Sequence, residues 1–350
     1  MQSDSNYDAL FIVSFGGPEG PDDVMPFLEN VLRGKNVPRE RMLEVAEHYS
    51  HFGGVSPIND QNRALIAAVK NELAEHEIDL PIYWGNRNWH PMIPDSLRQM
   101  QEDGISNPLA FFTSMFSCYS GCRQYRENIT DAQAAMGADA PNVHRMRLGH
   151  NHPSFIEASA SRVQDAFDQI PEERRAETRF VFTSHSIPMS MADGSNYASQ
   201  LNETCRLIME TVGDYPWDLV YQSRSGPPSQ PWLEPDVCDY IAELKQKADV
   251  NDIVVMPVGF VSDHMEVLFD LDTEAQEVCD ELGINMARAK SVGTHPSFVS
   301  MIRELVQERT ASAEEKVVGN LPVNPAVCVK DCCSYCPGKR PARPASSSRE

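Results

Sequence analysis

Short continuous apolar runs alternate along this chain with stretches whose apolar positions recur every three or four residues. Residues 8–14 (DALFIVS), 81–85 (PIYWG), 108–112 (PLAFF), 179–183 and 217–222 read as strands, as do segments near 143–147 and 284–288. Helical patterns lie at about 21–33, 39–51, 60–77, 153–168, 195–212, 235–247 and 296–309, and another helix holds Arg123, Tyr125 and Arg126. Runs apolar on both faces are strands covered on both sides, and their alternation with helices predicts a parallel α/β architecture. Ile253, Val254, Val255 and Met256 form the last such central run. Gly259 ends it, Ser262 is the expected N-cap of the next helix, and Asp263 falls in that helix's first turn.

A weak echo links the chain's two parts. Ala9–Ser14, ending at Pro18, resembles Phe180–Ser184, ending at Pro188, and the third strand with its long loop resembles Ile253 onward. The expected organisation is an N-terminal half over 1–150 and a second half over 151–318, with their loops facing one cleft. From 319 to 350 the composition turns rich in Cys, Pro, Ala, Ser and Arg, and the last dozen residues read as disordered.

Composition changes this picture in two ways. The net charge of −21 argues against nucleic acid and against electrostatic binding to anionic lipid, and it suits attraction of a cation. No apolar run reaches the roughly 18 residues of a membrane span, and the start MQSDSNYD lacks a signal region, so the expected location is the cytoplasm. Cys118, Cys122, Cys205, Cys238 and Cys279 are scattered and read as free thiols of a reducing compartment. Cys328, Cys332, Cys333 and Cys336 crowd together in the tail.

Candidate chemistry starts at the acidic helix. Asp263, Glu266, Asp270 and Glu274 are spaced 3, 4 and 4, which puts four carboxylates on one helical face. A solvated acidic face is the commoner meaning of such a stripe. Here it begins at the mouth of a buried strand, where open α/β sheets place ligands, and stacked carboxylates suit a passing cation. His185, in Thr183-Ser184-His185-Ser186-Ile187-Pro188, lies just past another strand end and is able to bind a transition metal or accept a proton. His264 adjoins the acids but points off their face, so it ranks second. Arg33, Tyr49, Arg87, Trp89, Tyr125 and Trp232 flank loops at strand ends, as a flat aromatic ligand bearing carboxylates would require. The turn Phe15-Gly16-Gly17-Pro18 continues into no nucleotide-binding pattern.

Five separated motifs carry a resemblance: SFGGPEGPDDVMPFL at 14–28, HFGGVSPIN at 51–59, SHSIP at 184–188, PWLEPDV at 231–237 and PVGFVSDHMEVLFDLD at 257–272. The sequence resembles the ferrochelatases, which insert ferrous iron into a porphyrin, over roughly residues 8–310. The resemblance implies two Rossmann-like halves flanking a porphyrin cleft, with His185 as the active-site histidine and Glu266 as the glutamate facing it. Asp270 and Glu274 then continue the line along which metal approaches. Phe15, Arg33, Tyr49, Ser56 and Tyr125 fall where related enzymes contact the macrocycle or its propionates. Phe15 stands where some bacterial members carry a tyrosine able to ligate iron, and that role does not transfer.

The tail is similar to that of members holding a [2Fe–2S] cluster. Its C-x3-C-C-x2-C pattern offers four thiolates, with zinc as the chemical alternative. In the animal enzymes one ligand lies far upstream. No cysteine here stands out at a matching place, so all four ligands are expected to be local and the cluster remote from the chemistry. The N-terminal motifs look most like the actinobacterial enzymes that use coproporphyrin III, with protoporphyrin IX as runner-up. Another tetrapyrrole metal chelatase, and a non-enzymatic haem or iron–sulfur sensor, are the remaining readings. The expected partners are the porphyrin, ferrous iron and other haem-pathway enzymes.

Overall fold

In the computed structural model, described for residues 7–34, 37–227 and 229–335, the chain builds two sheets of four parallel strands. The first part runs β1 (Ala9–Ser14), α1 (Pro21–Val31), α2 (Arg39–His51), α3 (Ile58–Glu75), β2 (Ile82–Asn86), α4 (Ile93–Glu102), β3 (Pro108–Phe112), a π turn (Tyr119–Arg123), α5 (Gln124–Met136) and β4 (His144–Arg145). The second runs α6 (Pro153–Phe167), β5 (Arg179–His185), α7 (Met189–Ala192), α8 (Tyr197–Val212), β6 (Trp217–Gln222), α9 (Val237–Ala248), β7 (Asp252–Met256), α10 (Met265–Phe269), a second π turn (Asp270–Ala275), α11 (Gln276–Leu282), β8 (Asn285–Arg288) and α12 (Pro296–Thr310). The strand orders are β2-β1-β3-β4 and β6-β5-β7-β8, so one topology is used twice.

The central strands β1, β3, β5 and β7 are mainly apolar and buried because both faces are covered. Leu10, Ile12, Phe180, Phe182, Val254 and Met256 point into one core shared by the two sheets. Their neighbours in sequence point the other way. Phe11 and Val13 meet α4 and α5 in one outer core, and Val181, Ile253 and Val255 meet residues of α9, α10 and α11 in the other. Helix α12 then crosses back onto α3 of the first part. Arg303 Nε reaches Glu72 Oε1 at 2.8 Å, and the buried Arg147 forks onto Glu308 with two bonds of 2.8 Å. Removing one partner of a buried pair such as Arg147–Glu308 costs about 3–5 kcal/mol, because the other charge is left uncompensated.

One expected detail is corrected. The acidic helix begins at Met265 rather than at Ser262, and Asp263 lies before it. Asp263 is held there by an ion pair to Arg288 at 2.8 Å and by the Ser291 N–H, while its backbone N–H and carbonyl both bond the Gln61 side chain at 2.9 Å. These bonds need Asp263 in a loop, so it does not join the acidic face.

Candidate active site

Parallel sheets of this order open beyond the strand ends between the first and third strands of each half. In the second half, β5 ends in His185 and β7 leads to α10, which carries Glu266. Gly259 lets the two approach. A Cβ there would stand 2.0 Å from Ser184 Oγ, which no side chain tolerates. Tyr197 supports the same strand end from below, with its hydroxyl 2.6 Å from Ser184 Oγ and donating to the His185 carbonyl at 3.0 Å.

His185 Nδ1 lies 2.5 Å from the Ser186 carbonyl, a contact that puts the hydrogen on Nδ1. The other nitrogen, Nε2, is left without a backbone partner and faces Glu266 Oε2 at 3.8 Å. Asp270 follows on the same helix. Its Oδ2 accepts from Ser223 Oγ and, at 3.1 Å, from Gln222 Nε2. Burial, opposed by these two donors and helped by the Glu266 charge, pushes the Asp270 carboxyl up to about 7. Glu274 is raised too, by burial and by Asp236. Four residues overshoot one α turn by about 40°. The wider π turn over Asp270–Ala275 undershoots, so Glu274 returns over the line set by Glu266 and Asp270. The line ends in an acidic surface hollow of about 480 Å³ walled by Asp236, Cys238, Glu274, Glu277, Val278 and Glu281. Three of the four predicted acids thus form a path from the surface to His185. His264 lies beside the pair, edge-on to Phe260 at 4.9 Å, and burial lowers its pKa, which keeps its ring neutral.

The first half supplies an aromatic wall. Phe15, Phe27, Tyr49 and Trp89 cluster with Met265 of α10, so this wall meets the acidic helix directly. Tyr49 is buried, with its hydroxyl pKa raised by burial and by the Glu266 charge. His48 stacks on Phe269 at 3.9 Å. Arg87 lies over the Phe15 ring at 5.7 Å and the Tyr125 ring at 4.7 Å. Tyr125 is buried beneath it, and Ser56 is buried against Gly17, so neither presents a side chain to open space. Arg33 is exposed at the end of α1 and bonds Asn30. Sequence reasoning passed over Gln222 and Ser223. Gln222 ends β6 opposite His185, the same strand-mouth logic that singled out the histidine.

The cysteines differ from expectation. After α12 the chain runs back over the first half, where Val318 N–H donates to Asn151, Asn324 to Ser117 Oγ at 2.8 Å, and Arg123 Nη1 to the carbonyls of Lys330 and Cys332. This brings Cys333 against Cys122 of the first π turn, and both belong to the outer core there. The neighbouring Cys333 draws the Cys122 thiol pKa down and is itself pushed up, while Cys122 Sγ donates to the Cys118 carbonyl at 3.2 Å. Cys332 Sγ lies 3.6 Å from Cys333 Sγ, and Cys328 contacts Cys332. Cys336 lies outside the described residues. Among the described residues no three His, Cys, Asp or Glu side chains are arranged around a single metal position; the thiols meet pairwise. Cys122, which reads in the sequence as a scattered thiol, lies 206 positions before the first tail cysteine and meets Cys333 only because the tail docks.

A histidine paired with Glu266 thus lies at the head of a carboxylate line whose helix also meets an aromatic wall. The family model for ferrochelatase matches residues 7–310. The chain belongs to the ferrochelatase family. It is 62% identical to a ferrochelatase of Rhodopirellula baltica, over 96% of this chain and 95% of that one. It is 48% identical to a coproporphyrin III ferrochelatase of Streptomyces coelicolor, over 99% of this chain and 97% of the other. Among solved structures it is similar to SirB from Bacillus subtilis with Fe3+ (TM-score 0.56, 13% identity, covering 87% of this chain and 96% of that one), a likeness of fold. As a member of this family the protein is a lyase of the metal-chelatase class, with porphyrin and ferrous iron as its partners. Among the described residues no helix is long and apolar enough to cross a membrane.

Proposed function

We propose that this chain inserts Fe2+ into coproporphyrin III in haem biosynthesis, releasing two protons for each iron taken up. The observation that carries this reading is His185 Nε2, held 3.8 Å from Glu266 at the inner end of the Asp270–Glu274 line, with Nδ1 occupied by the Ser186 carbonyl. Iron enters from the acidic hollow, attracted by carboxylates, and reaches Glu266. The macrocycle lies against Phe15, Tyr49 and Arg87, with Arg87 placed for a propionate and Tyr125 holding it from beneath. Ser56 shapes the turn under Phe15, and Arg33 marks the rim. The wall bends the ring so that pyrrole lone pairs turn toward the metal, an investment of binding energy in a strained ground state. Nε2 takes one pyrrole proton and the Glu266 carboxylate the other, as bonds to iron replace the two N–H bonds.

Two relatives' names support the choice of porphyrin, that of Streptomyces coelicolor and one of Nocardia farcinica, each a coproporphyrin III ferrochelatase at 48% identity. Coproporphyrin carries four propionates and protoporphyrin IX two, so charge-assisted bonds favour the former. Anaerobic assays with Fe2+ and each porphyrin, followed by absorption, should give the higher kcat/KM for coproporphyrin III; equal or reversed values would defeat that choice.

We further propose that the cysteine site holds a [2Fe–2S] cluster, with zinc as the rival occupant. What supports it is the donor type: Cys328, Cys332, Cys333 and Cys122 are free thiols, the Cys332 and Cys333 sulfurs are 3.6 Å apart, and Cys336 is a fifth candidate. Such a cluster supplies one-electron chemistry and a covalent tie between tail and first half. Iron and acid-labile sulfide near two each per chain are expected, and a colourless zinc protein would refute the cluster. The described cysteines are free thiols, which favours a reducing compartment, the cytoplasm.

A further inference from the structure

Gln61 lies in the first turn of α3, and its side-chain amide pairs with the backbone of Asp263, 202 positions along the chain. Nε2 donates to the Asp263 carbonyl at 2.9 Å, and Oε1 accepts from the Asp263 N–H at 2.9 Å. A backbone donor and a backbone acceptor are matched at once, so only one orientation of the amide satisfies both. Each end of this bridge is itself fixed. On the first half, Asn59 in the same turn donates from Nδ2 to the Gly17 carbonyl at 3.3 Å, and the Ser56 N–H donates to the Pro18 carbonyl at 2.8 Å. Those bonds tie the start of α3 to the turn that follows Phe15. On the second half, the Asp263 carboxylate is held by Arg288 and the Ser291 N–H, and Glu266 lies three residues on. Met265 in the aromatic cluster also joins wall to acidic helix, but apolar packing has no direction of its own.

The geometry points to Gln61 as a positioning residue for metal insertion, one that sets Glu266 at a fixed place against the porphyrin wall while belonging to neither ligand's own site. This assignment rests on the insertion reading above. Metal and macrocycle bind to different halves, so the step that joins them depends on how the halves are registered, and a misplacement of about 1 Å can cost about 10²-fold in rate. The fold does not hang on this bridge, because Arg303–Glu72 and Arg147–Glu308 join α12 to the first half elsewhere.

The test compares the full-length wild type with Gln61→Met, which keeps the length of the side chain and loses both bonds. Three quantities are read: kcat for Fe2+ insertion into coproporphyrin III, the Kd of coproporphyrin III by fluorescence quenching, and the Kd of Co2+ by visible absorption. Gln61→Met should lower kcat by about tenfold or more while each Kd stays within about threefold of wild type. Gln61→Glu keeps the acceptor for the Asp263 N–H and loses the donor, so its kcat should fall between the two. An unchanged kcat in Gln61→Met, or a lower kcat accompanied by an equal loss of affinity for either ligand, overturns the inference. If circular dichroism shows Gln61→Met unfolded, Gln61→Glu decides by the same criteria, and failure of both to fold makes the bridge structural and overturns the inference too. A wild type that binds both ligands yet inserts no iron defeats the insertion reading itself, and this inference falls with it.

Discussion

The two sheets share a strand order and the pairing register of their first two strands, yet they carry opposite chemistry. Ala9 pairs with the first residue of β3 and Leu10 with the first of β2. Likewise Phe180 pairs with Trp217, the first residue of β6, while Arg179 pairs with Ile253, the second residue of β7. The superposed register makes Ser14 the counterpart of Ser184, and Phe15 the counterpart of His185. Each third strand is also followed by a π turn, directly after the loop in the first half and after α10 in the second. The first turn carries Cys122 and leads into Tyr125; the second carries Asp270 and Glu274. One framework therefore offers the same positions twice: one copy presents ring faces and thiols, the other a base and carboxylates. The lesson is that the strand ends fix where chemistry occurs, and single residue types decide which chemistry.

That comparison breaks most sharply at the matched pair. His185→Ala should lower kcat/KM for iron insertion by about 10³-fold, within the range for removing a positioned base. Its counterpart Phe15→Ala should cost less than about tenfold and act mainly on KM for porphyrin, because it removes wall area without removing a base. Steady-state assays on both variants, with circular dichroism to confirm folding, make the check. Equal losses at the two positions would end the proposed division of labour.

Cys122→Ser sharpens the contrast between the two π turns. We expect loss of bound iron and sulfide and a lower Tm, with insertion kept within about tenfold of wild type. The residual coupling is physical. The Ser120 carbonyl in the same turn accepts from Arg87 at 3.4 Å, and Arg87 covers Phe15. The tail is thus nearer the chemistry than its sequence position implies. Complete loss of insertion in a folded Cys122→Ser protein would place the cluster within the catalytic machinery.

A smaller effect is expected at the other π turn. Because the Asp270 carboxyl sits at about 7, kcat/KM for iron should rise through neutral pH as it ionises, and Asp270→Asn should lose that inflection with a few-fold lower plateau. Stability has the opposite sign. The folded-state value lies above the ordinary 3.8, so the folded chain holds this proton over a pH range where the unfolded chain has released it. Its contribution to stability is present at low pH and is lost as pH rises toward about 7. Thermal melts across that range should show a shallower decline in Asp270→Asn.

Much of this was legible in the sequence because both-face burial leaves unbroken apolar strands and because His185 and Glu266 sit at strand mouths. Less legible were features set by distant contacts. Asp263 has the spacing of the acidic stripe but is drawn away by Arg288 and Gln61. Cys122 resembles any buried thiol until the tail folds back upon it. Tyr125 and Ser56 are expected from the resemblance to contact substrate, yet their side chains are buried, and the half-buried Arg87 lies above Tyr125.

The most direct test of the division between halves measures the two ligands separately. Co2+ uptake, read from its visible absorption, and coproporphyrin III binding, read from fluorescence quenching, should be compared in Glu266→Gln and Arg87→Ala. The account predicts a crossover: Glu266→Gln weakens Co2+ binding by at least tenfold while leaving the porphyrin Kd within about threefold, and Arg87→Ala does the reverse. Both variants weakening the same ligand, or Glu266→Gln leaving Co2+ uptake intact, would contradict it.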